Sequence, residues 1–230
     1  MQIVAHRGWS EIAPENTHAA FSAALTAPCD GIEMDLRLAA DGTVVVCHDA
    51  TLERFGGSRK PIARQTLVML RRQCPVPTLA EVLDRYRGVE LLLELKPHGG
   101  REWTARLLAG ICALVRPPAV RERVMLLCFN PAVLVAAHAS APRLRLVRNT
   151  ETLPLAIDPW LDRHRHCWAI DAAHAAWTSA AVEAVRRQGL RTAAYTVNRA
   201  VDLTRCQRLG LDLVITNRPR WAHQRLASDV

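Results

Sequence analysis

Short apolar stretches alternate with longer segments of helical periodicity along most of this 230-residue chain. Nine of the short stretches have the length and apolar content of buried strands. They are 2–5, 30–36, 43–47, 90–96, 124–129, 144–147, 168–171, 191–197 and 213–216. Helical periodicity begins near Pro14 and again covers 78–87, 101–115, 131–139, 151–164, 179–188 and 200–209. Regular alternation of strands and helices predicts a parallel sheet.

The third stretch differs from the other eight because it follows a hairpin signal. Asp41 and Gly42 separate it from the second stretch, and glycine tolerates the positive φ that a tight turn needs. If this return strand lies above the sheet, eight strands remain, which is the number in a closed (β/α)8 barrel. The weak pattern at about 49–76 indicates a short insertion after the second strand. We therefore expect a TIM barrel that forms a single domain over 1–230.

Composition excludes several classes of protein. Half of the residues are hydrophobic and 23% are charged, which is typical of a globular protein. Neither a leader peptide nor an apolar run of membrane-spanning length is evident, so we expect a cytoplasmic protein without a transmembrane segment. The seven cysteines are scattered without a C-x-x-C motif, which suggests neither a disulfide framework nor a zinc site.

The net charge of +8 comes from an arginine-rich chain with only two lysines, Lys60 and Lys96. Charge alone is compatible with nucleic-acid binding, but the basic residues do not cluster into a footprint. We therefore predict no nucleic-acid partner. Attraction of a small anionic substrate remains compatible with this charge.

Polar residues concentrate where the apolar strands end. Glu33 and Asp35 are two apart and so share a face of their strand, and the hairpin brings His48 back roughly opposite Asp35. The other strand ends carry polar groups in the same way: His6 and Arg7, Glu94 and Lys96, and Tyr195, Thr196 and Asn198. In a barrel these ends meet at one mouth. Any one of these residues alone has an ordinary structural explanation, but the whole set does not.

This combination of residue types suggests a chemistry. The carboxylates Glu33, Asp35 and Glu94 favour a hard cation, Mg²⁺ or Ca²⁺, over zinc. Nearby cationic side chains are suited to phosphate oxygens, and two imidazoles supply an acid and a base. Phosphodiester hydrolysis fits best. A metal-dependent barrel lyase or isomerase and a non-catalytic phosphate binder remain as alternatives.

The motifs resemble those of the glycerophosphodiester phosphodiesterases. The matching blocks are His6-Arg7-Gly8, Pro14-Glu15-Asn16-Thr17, Ala20-Phe21, Gly31-Ile32-Glu33-Met34-Asp35, Asp41-Gly42, Val46-Cys47-His48-Asp49 with Leu52 and Arg54, 77–83, 93–96, 195–198 and 210–219. The resemblance is strong over 4–97 and loose between 100 and 190. It implies a (β/α)8 barrel that hydrolyses glycerophosphodiesters to glycerol 3-phosphate and an alcohol. A lysophospholipase D-type activity on a lipid phosphodiester is the alternative with the same chemistry.

The resemblance also implies roles for individual residues. These are His6 and His48 as the acid–base pair, Glu33, Asp35 and Glu94 as metal ligands, and Arg7, Lys96 and Tyr195 as substrate-binding residues. We favour His48 as the acid, because carboxylates near it in the hairpin favour a protonated imidazole. The family usually has Trp where Tyr195 stands and Asp where Asn217 stands. We expect neither departure to touch the metal site or the histidines.

Overall fold

The computed structural model describes residues 1–97 and 100–228; the last two residues of the predicted domain, 229–230, lie outside the described residues. The described chain forms one nine-stranded sheet, in the order β1-β9-β8-β7-β6-β5-β4-β2-β3, with a further pairing between β1 and β2. Its strands are β1 Gln2–Ala5, β2 Gly31–Leu38, β3 Val44–Val46, β4 Glu90–Leu95, β5 Val124–Cys128, β6 Arg145–Thr150, β7 Ala169–Ala173, β8 Arg191–Tyr195 and β9 Leu213–Thr216. The pairing of β1 with both β2 and β9 closes eight parallel strands into the predicted barrel.

Helices surround the barrel. They are α1 His18–Ala24, α2 Leu67–Arg71, α3 Leu79–Arg85, α4 Gly100–Leu114, α5 Pro118–Arg121, α6 Pro131–Ser140, α7 Ile157–Asp162, α8 Ser179–Arg187, α9 Ala200–Leu209 and α10 Pro219–Ser228. They cover the outer face of the barrel, except for α2, which belongs to the segment between β3 and α3. The predicted capping box at the start of α3 is present, because Thr78 Oγ1 accepts from the Glu81 amide while the Glu81 carboxylate accepts from that of Thr78.

The hairpin forms as expected. Gly42 has φ +84°, and β3 pairs antiparallel with β2 in a register that places Val46 opposite Leu36. The Cys47 amide donates to the Asp35 carbonyl at 2.9 Å, so His48 leaves the hairpin beside the end of β2. Among the described strands, β3 pairs with β2 alone, so it lies outside the closed barrel and is not one of its eight strands.

Between β3 and α3 the chain makes two 3₁₀ helices, Glu53–Phe55 and Ile62–Arg64, and the short helix α2. This segment has its own small apolar cluster, which includes Leu52, Ile62 and Leu70. It corresponds to the predicted insertion at 49–76. The weak periodicity of the sequence here results from elements of only three to five residues.

The barrel interior changes from apolar to polar along the strands. The inward positions are filled first by an apolar layer of Val4, Leu92, Met125, Leu127, Val147, Ala169, Ala193, Leu213 and Ile215. Because side chains alternate along a strand, the next inward position lies two residues further on. On most strands that position is polar, and this polar layer forms the mouth.

Several predicted boundaries and elements are wrong. Helix α10 and the short α2 and α5 were not anticipated, and the helix expected over 151–164 covers only Ile157–Asp162. Strand β6 runs on to Thr150 rather than ending at 147, because pairing with β7 continues through polar residues there. Tertiary pairing overrides local hydrophobicity at such ends.

Candidate active site

The eight residues singled out from the sequence meet at the mouth of the barrel. Seven of them line one cavity of about 240 Å³: His6, Arg7, Glu33, His48, Glu94, Lys96 and Tyr195. Asp35 is completely buried next to it. The remaining wall contains Leu127, Phe129, Asn149, Glu151, Asp171, Thr196 and Ile215.

Three carboxylates form the most charged part of the wall. Glu33, Asp35 and Glu94 each place one oxygen within 4.8 Å of the others, and all three side chains are buried. Glu33 Oε1 accepts no hydrogen bond from any described residue. Burial and repulsion from Asp35 and Glu94 raise the pKa of Glu33 well above its usual range. Carboxylates held this close with an unpaired oxygen fit a hard divalent cation.

Two basic side chains offset part of the negative charge of the cluster. Lys96 Nζ lies 2.5 Å from Glu94 Oε1 and 3.1 Å from Asp35 Oδ1, and Arg7 Nε lies 3.1 Å from Asp35 Oδ2. Burial alone would raise the pKa of Asp35, but these cations and a hydrogen bond from Asn16 lower it. The pKa of Glu94 is raised, because burial and Asp35 outweigh Lys96.

Strained backbone holds the carboxylates in place. Arg7 and Asn16 both have φ +57°, a conformation that side chains other than glycine rarely adopt. In this conformation the Arg7 amide donates to Glu33 Oε2 at 3.0 Å. Asn16 Nδ2 donates to Asp35 Oδ2 at 2.8 Å, while its Oδ1 accepts from the Asp35 amide. Backbone strain of this kind persists where the surrounding contacts over-determine it.

His6 is the more enclosed of the two histidines. Its Nδ1 lies 2.6 Å from Asn217 Oδ1. An amide oxygen only accepts, so Nδ1 donates and Nε2, 3.8 Å from Glu33 Oε2, carries the free lone pair of the neutral ring. Burial and the charge of Arg7 lower the pKa of His6 to about 4, although the bond to Asn217 and nearby carboxylates oppose this. At neutral pH His6 is therefore an uncharged base.

This contact corrects one expectation. We expected that the Asn217 departure would not touch a histidine, but the structure places Asn217 directly against His6. A second hydrogen bond holds Asn217 in place, because its backbone amide donates to Asn198 Oδ1 at 2.9 Å. Asn217 is thus the group that sets the tautomer of His6.

His48 is oriented by a chain of ion pairs along the rim. Its Nδ1 lies 2.8 Å from Asp49 Oδ1, and Asp49 Oδ2 accepts from Arg54 Nε at 2.6 Å. Arg54 also donates from Nη2 to Glu15 Oε1 at 2.5 Å, and the same oxygen accepts from Arg7 Nη1 at 2.8 Å. Arg54 and Arg7 lower the pKa of Glu15 although burial opposes this. The insertion therefore connects His48 with Arg7 through charge.

The opposite wall is more apolar. Tyr195 donates from Oη to the Thr150 carbonyl at 2.9 Å and meets Phe129 edge to face, with ring centroids 5.8 Å apart. Two polar groups of this wall, Asn149 and Asp171, are buried and were not predicted as site residues from the sequence. The signal was available, since each lies two residues beyond an inward apolar residue of its strand. That spacing points to the cavity only once the strand register shows which apolar residues face inward.

A family model described as the glycerophosphoryl diester phosphodiesterase family matches residues 6–220. The chain belongs to this family. The match includes every candidate site residue from His6 to Asn217. The expectation of a phosphodiester hydrolase of this family is thereby confirmed.

Individual relatives agree. A glycerophosphodiester phosphodiesterase of Caldanaerobacter subterraneus subsp. tengcongensis is 26% identical over 230 residues, covering 94% of each chain. One from Bacillus subtilis is 28% identical, covering 96% of this chain and 85% of its own.

Solved structures share the fold. A phosphodiesterase of Oleispira antarctica, in complex with the product sn-glycerol-3-phosphate, has a TM-score of 0.86 and 27% identity, covering 99% of this chain and 97% of its own. A Silicibacter pomeroyi structure described as a putative glycerophosphoryl diester phosphodiesterase has a TM-score of 0.90 and 23% identity, covering 100% of this chain and 94% of its own. The predicted TIM barrel is confirmed. Over the described part of the chain, no helix combines the length and apolar character needed to cross a membrane.

Proposed function

We propose that this protein hydrolyses glycerophosphodiesters to glycerol 3-phosphate and an alcohol. The observation that carries the proposal is a single cavity that brings together a buried carboxylate cluster, two basic side chains and two histidines. Membership of the family supports it. So does the Oleispira structure, whose ligand is sn-glycerol-3-phosphate.

The carboxylate cluster is proposed to hold Mg²⁺ or Ca²⁺. Its three oxygen donors, Glu33, Asp35 and Glu94, suit hard cations, and the unpaired Glu33 Oε1 gives a physical reason for a ligand there. When bound, such a cation would neutralise charge on the phosphoryl oxygens and make the phosphorus more susceptible to attack.

The basic side chains are proposed to bind the phosphate. Lys96 lies on the cavity wall with its ammonium among carboxylates, which raise its pKa although burial opposes this, so it stays charged. Arg7 forms an ion pair with Asp35 through Nε and donates from Nη1 to Glu15. Its guanidinium has further N–H donors that can bind phosphate oxygens. Charge fixed in a half-buried site stabilises charge that develops in the transition state. Tyr195 is proposed to form the wall beside the substrate.

The histidines are proposed to divide the proton transfers. His6 is neutral, with Nδ1 committed to Asn217 and Nε2 directed to the carboxylate side, and so it accepts a proton from the attacking hydroxyl. That hydroxyl belongs either to water or to the glycerol of the substrate. His48, paired with Asp49, stands on the hairpin side and gives a proton to the departing alcohol.

The experiment is release of glycerol 3-phosphate from diesters that carry different alcohols, with lysophosphatidylcholine in the same panel. Activity should disappear with a chelator and return with Mg²⁺ or Ca²⁺. Glu33→Gln should lose activity, whereas Glu183→Gln, an exposed carboxylate of α8, should behave as wild type. Release from the lipid alone would indicate a lysophospholipase D activity instead. A cytoplasmic location and the single-domain organisation of 1–230 remain predictions from the sequence.

A further inference from the structure

Asp171 is a carboxyl group that has no hydrogen-bond partner among the described residues. It lies on β7, is 1% exposed, and lines the cavity. Neither of its oxygens accepts a hydrogen bond from any described residue. Its register neighbour on β6 is Asn149, whose Oδ1 is also buried and unpaired. Three buried polar oxygens therefore belong to two neighbouring residues of the cavity wall, and no described residue donates a hydrogen bond to them.

Such an arrangement costs stability. A buried polar group without a hydrogen bond is destabilising, and a buried carboxylate without a cation more so. The metal cluster does not explain Asp171, because Lys96 contacts Glu94 and Asp35, and the charged neighbour with the largest effect on Asp171 is Glu94, which repels it. Groups kept at a cost to stability mark sites that bind something.

We propose that Asp171, together with Asn149, binds the terminal hydroxyl group of the substrate's glycerol. The inference rests on the proposed function, which places the phosphate at Lys96 and Arg7. The cavity has a volume of about 240 Å³, equivalent to roughly eight waters at about 30 Å³ each. That is room for a glycerophosphoryl unit, whereas alcohols of variable size need the open mouth.

The chemistry favours a hydroxyl over an ammonium group. Burial and the nearby Glu94 raise the pKa of Asp171 well above its usual range, which favours the neutral form of the carboxyl. A neutral carboxyl both donates and accepts, which matches a hydroxyl that does the same. An ammonium would need an ionised carboxylate, and Asn149 offers only its amide.

Two substrates that differ by one hydroxyl test this. Glyceryl p-nitrophenyl phosphate and 2-hydroxypropyl p-nitrophenyl phosphate share a leaving group and a 2-hydroxyl, but the second lacks the terminal hydroxyl. The wild type should prefer the glyceryl compound in kcat/KM by about a hundredfold, because the analogue leaves buried polar groups of the site without a hydrogen bond.

Asp171→Ala should lower that preference by about tenfold or more, mostly by its effect on the glyceryl compound. Asp171→Asn, which keeps one donor and one acceptor, should retain more of it. Glu183→Ala should leave both substrates unchanged. The melting temperature of Asp171→Ala should not fall, since the variant removes an unpaired buried group. Equal losses on both substrates, or an unchanged preference, would overturn the assignment.

Two further arms separate the remaining possibilities. Calorimetry with sn-glycerol 3-phosphate and 2-hydroxypropyl phosphate measures the same preference without turnover. If the wild type hydrolyses neither diester but keeps an Asp171-dependent preference in binding, the proposed function fails and the hydroxyl site stands. A loss in Asp171→Ala confined to diesters of choline and ethanolamine would show an ammonium site and overturn the proposal.

Discussion

The hydrogen bond between Asn217 and His6 makes a sharp prediction about pH. Replacing Asn217 with Asp keeps the size of the side chain and the acceptor oxygen beside Nδ1, which lies 2.6 Å away. The change adds a negative charge against the imidazole. It therefore stabilises the protonated ring and raises the pKa of His6.

The magnitude follows from the present environment. Burial and Arg7 hold the pKa of His6 at about 4. An opposite charge within a few ångströms moves a pKa by about 1–3 units, at about 1.4 kcal/mol per unit. In Asn217→Asp the pKa of His6 should therefore lie between about 5 and 7. Because His6 acts as a base, raising its pKa removes the active form at acidic pH and leaves it intact at alkaline pH.

The assay measures kcat/KM for hydrolysis of a glycerophosphodiester as a function of pH, at a saturating concentration of divalent cation. For a shift of two units, about nine-tenths of His6 is neutral at pH 5 in the wild type but about one-tenth in the variant. The variant should be about tenfold slower at pH 5 and equal to the wild type near pH 8. The fall of kcat/KM at acidic pH should shift to a pH one to three units higher than in the wild type.

Asn217→Ala is the matched control, since it removes the acceptor without adding charge. It should lose activity at every pH, because the tautomer and orientation of His6 are no longer fixed. The acidic limb should not move upward. Superimposable pH profiles for Asn217→Asp and the wild type would refute the assignment of His6 as the base.

Three other substitutions test the remaining groups. Lys96→Ala should lose on the order of tenfold to a thousandfold in kcat/KM through lost charge stabilisation, and an unchanged value would return Lys96 to a structural role. Glu94→Gln should weaken the dependence of rate on Mg²⁺ or Ca²⁺ concentration, seen as a higher cation concentration at half-maximal rate; wild-type cation dependence would exclude Glu94 as a ligand. His48→Ala should lose most activity on a choline diester and much less on a p-nitrophenyl diester, whose leaving group needs no proton. If His6→Ala shows the same rescue, neither histidine is a dedicated acid.

The sequence determined the barrel and half of the site because the relevant signals are local. Glu33, Asp35 and His48 lie within one strand and its hairpin, where the two-residue period and a glycine turn specify direction without reference to the rest of the chain. The strand–helix alternation similarly required only hydrophobic periodicity. The two carboxylates of β2 and the histidine of the hairpin are therefore predictable from the sequence alone.

What only the tertiary structure decided depends on register between distant segments. Asn217 meets His6 because β9 pairs with β1 at closure, a contact between residues 211 positions apart. Asp171 and Asn149 share the cavity because β6 and β7 pair in one particular register, which neither strand specifies alone. Side-chain direction follows from local geometry, but which side chains meet across a barrel depends on how the strands are staggered. That stagger is set by the packing of the whole interior.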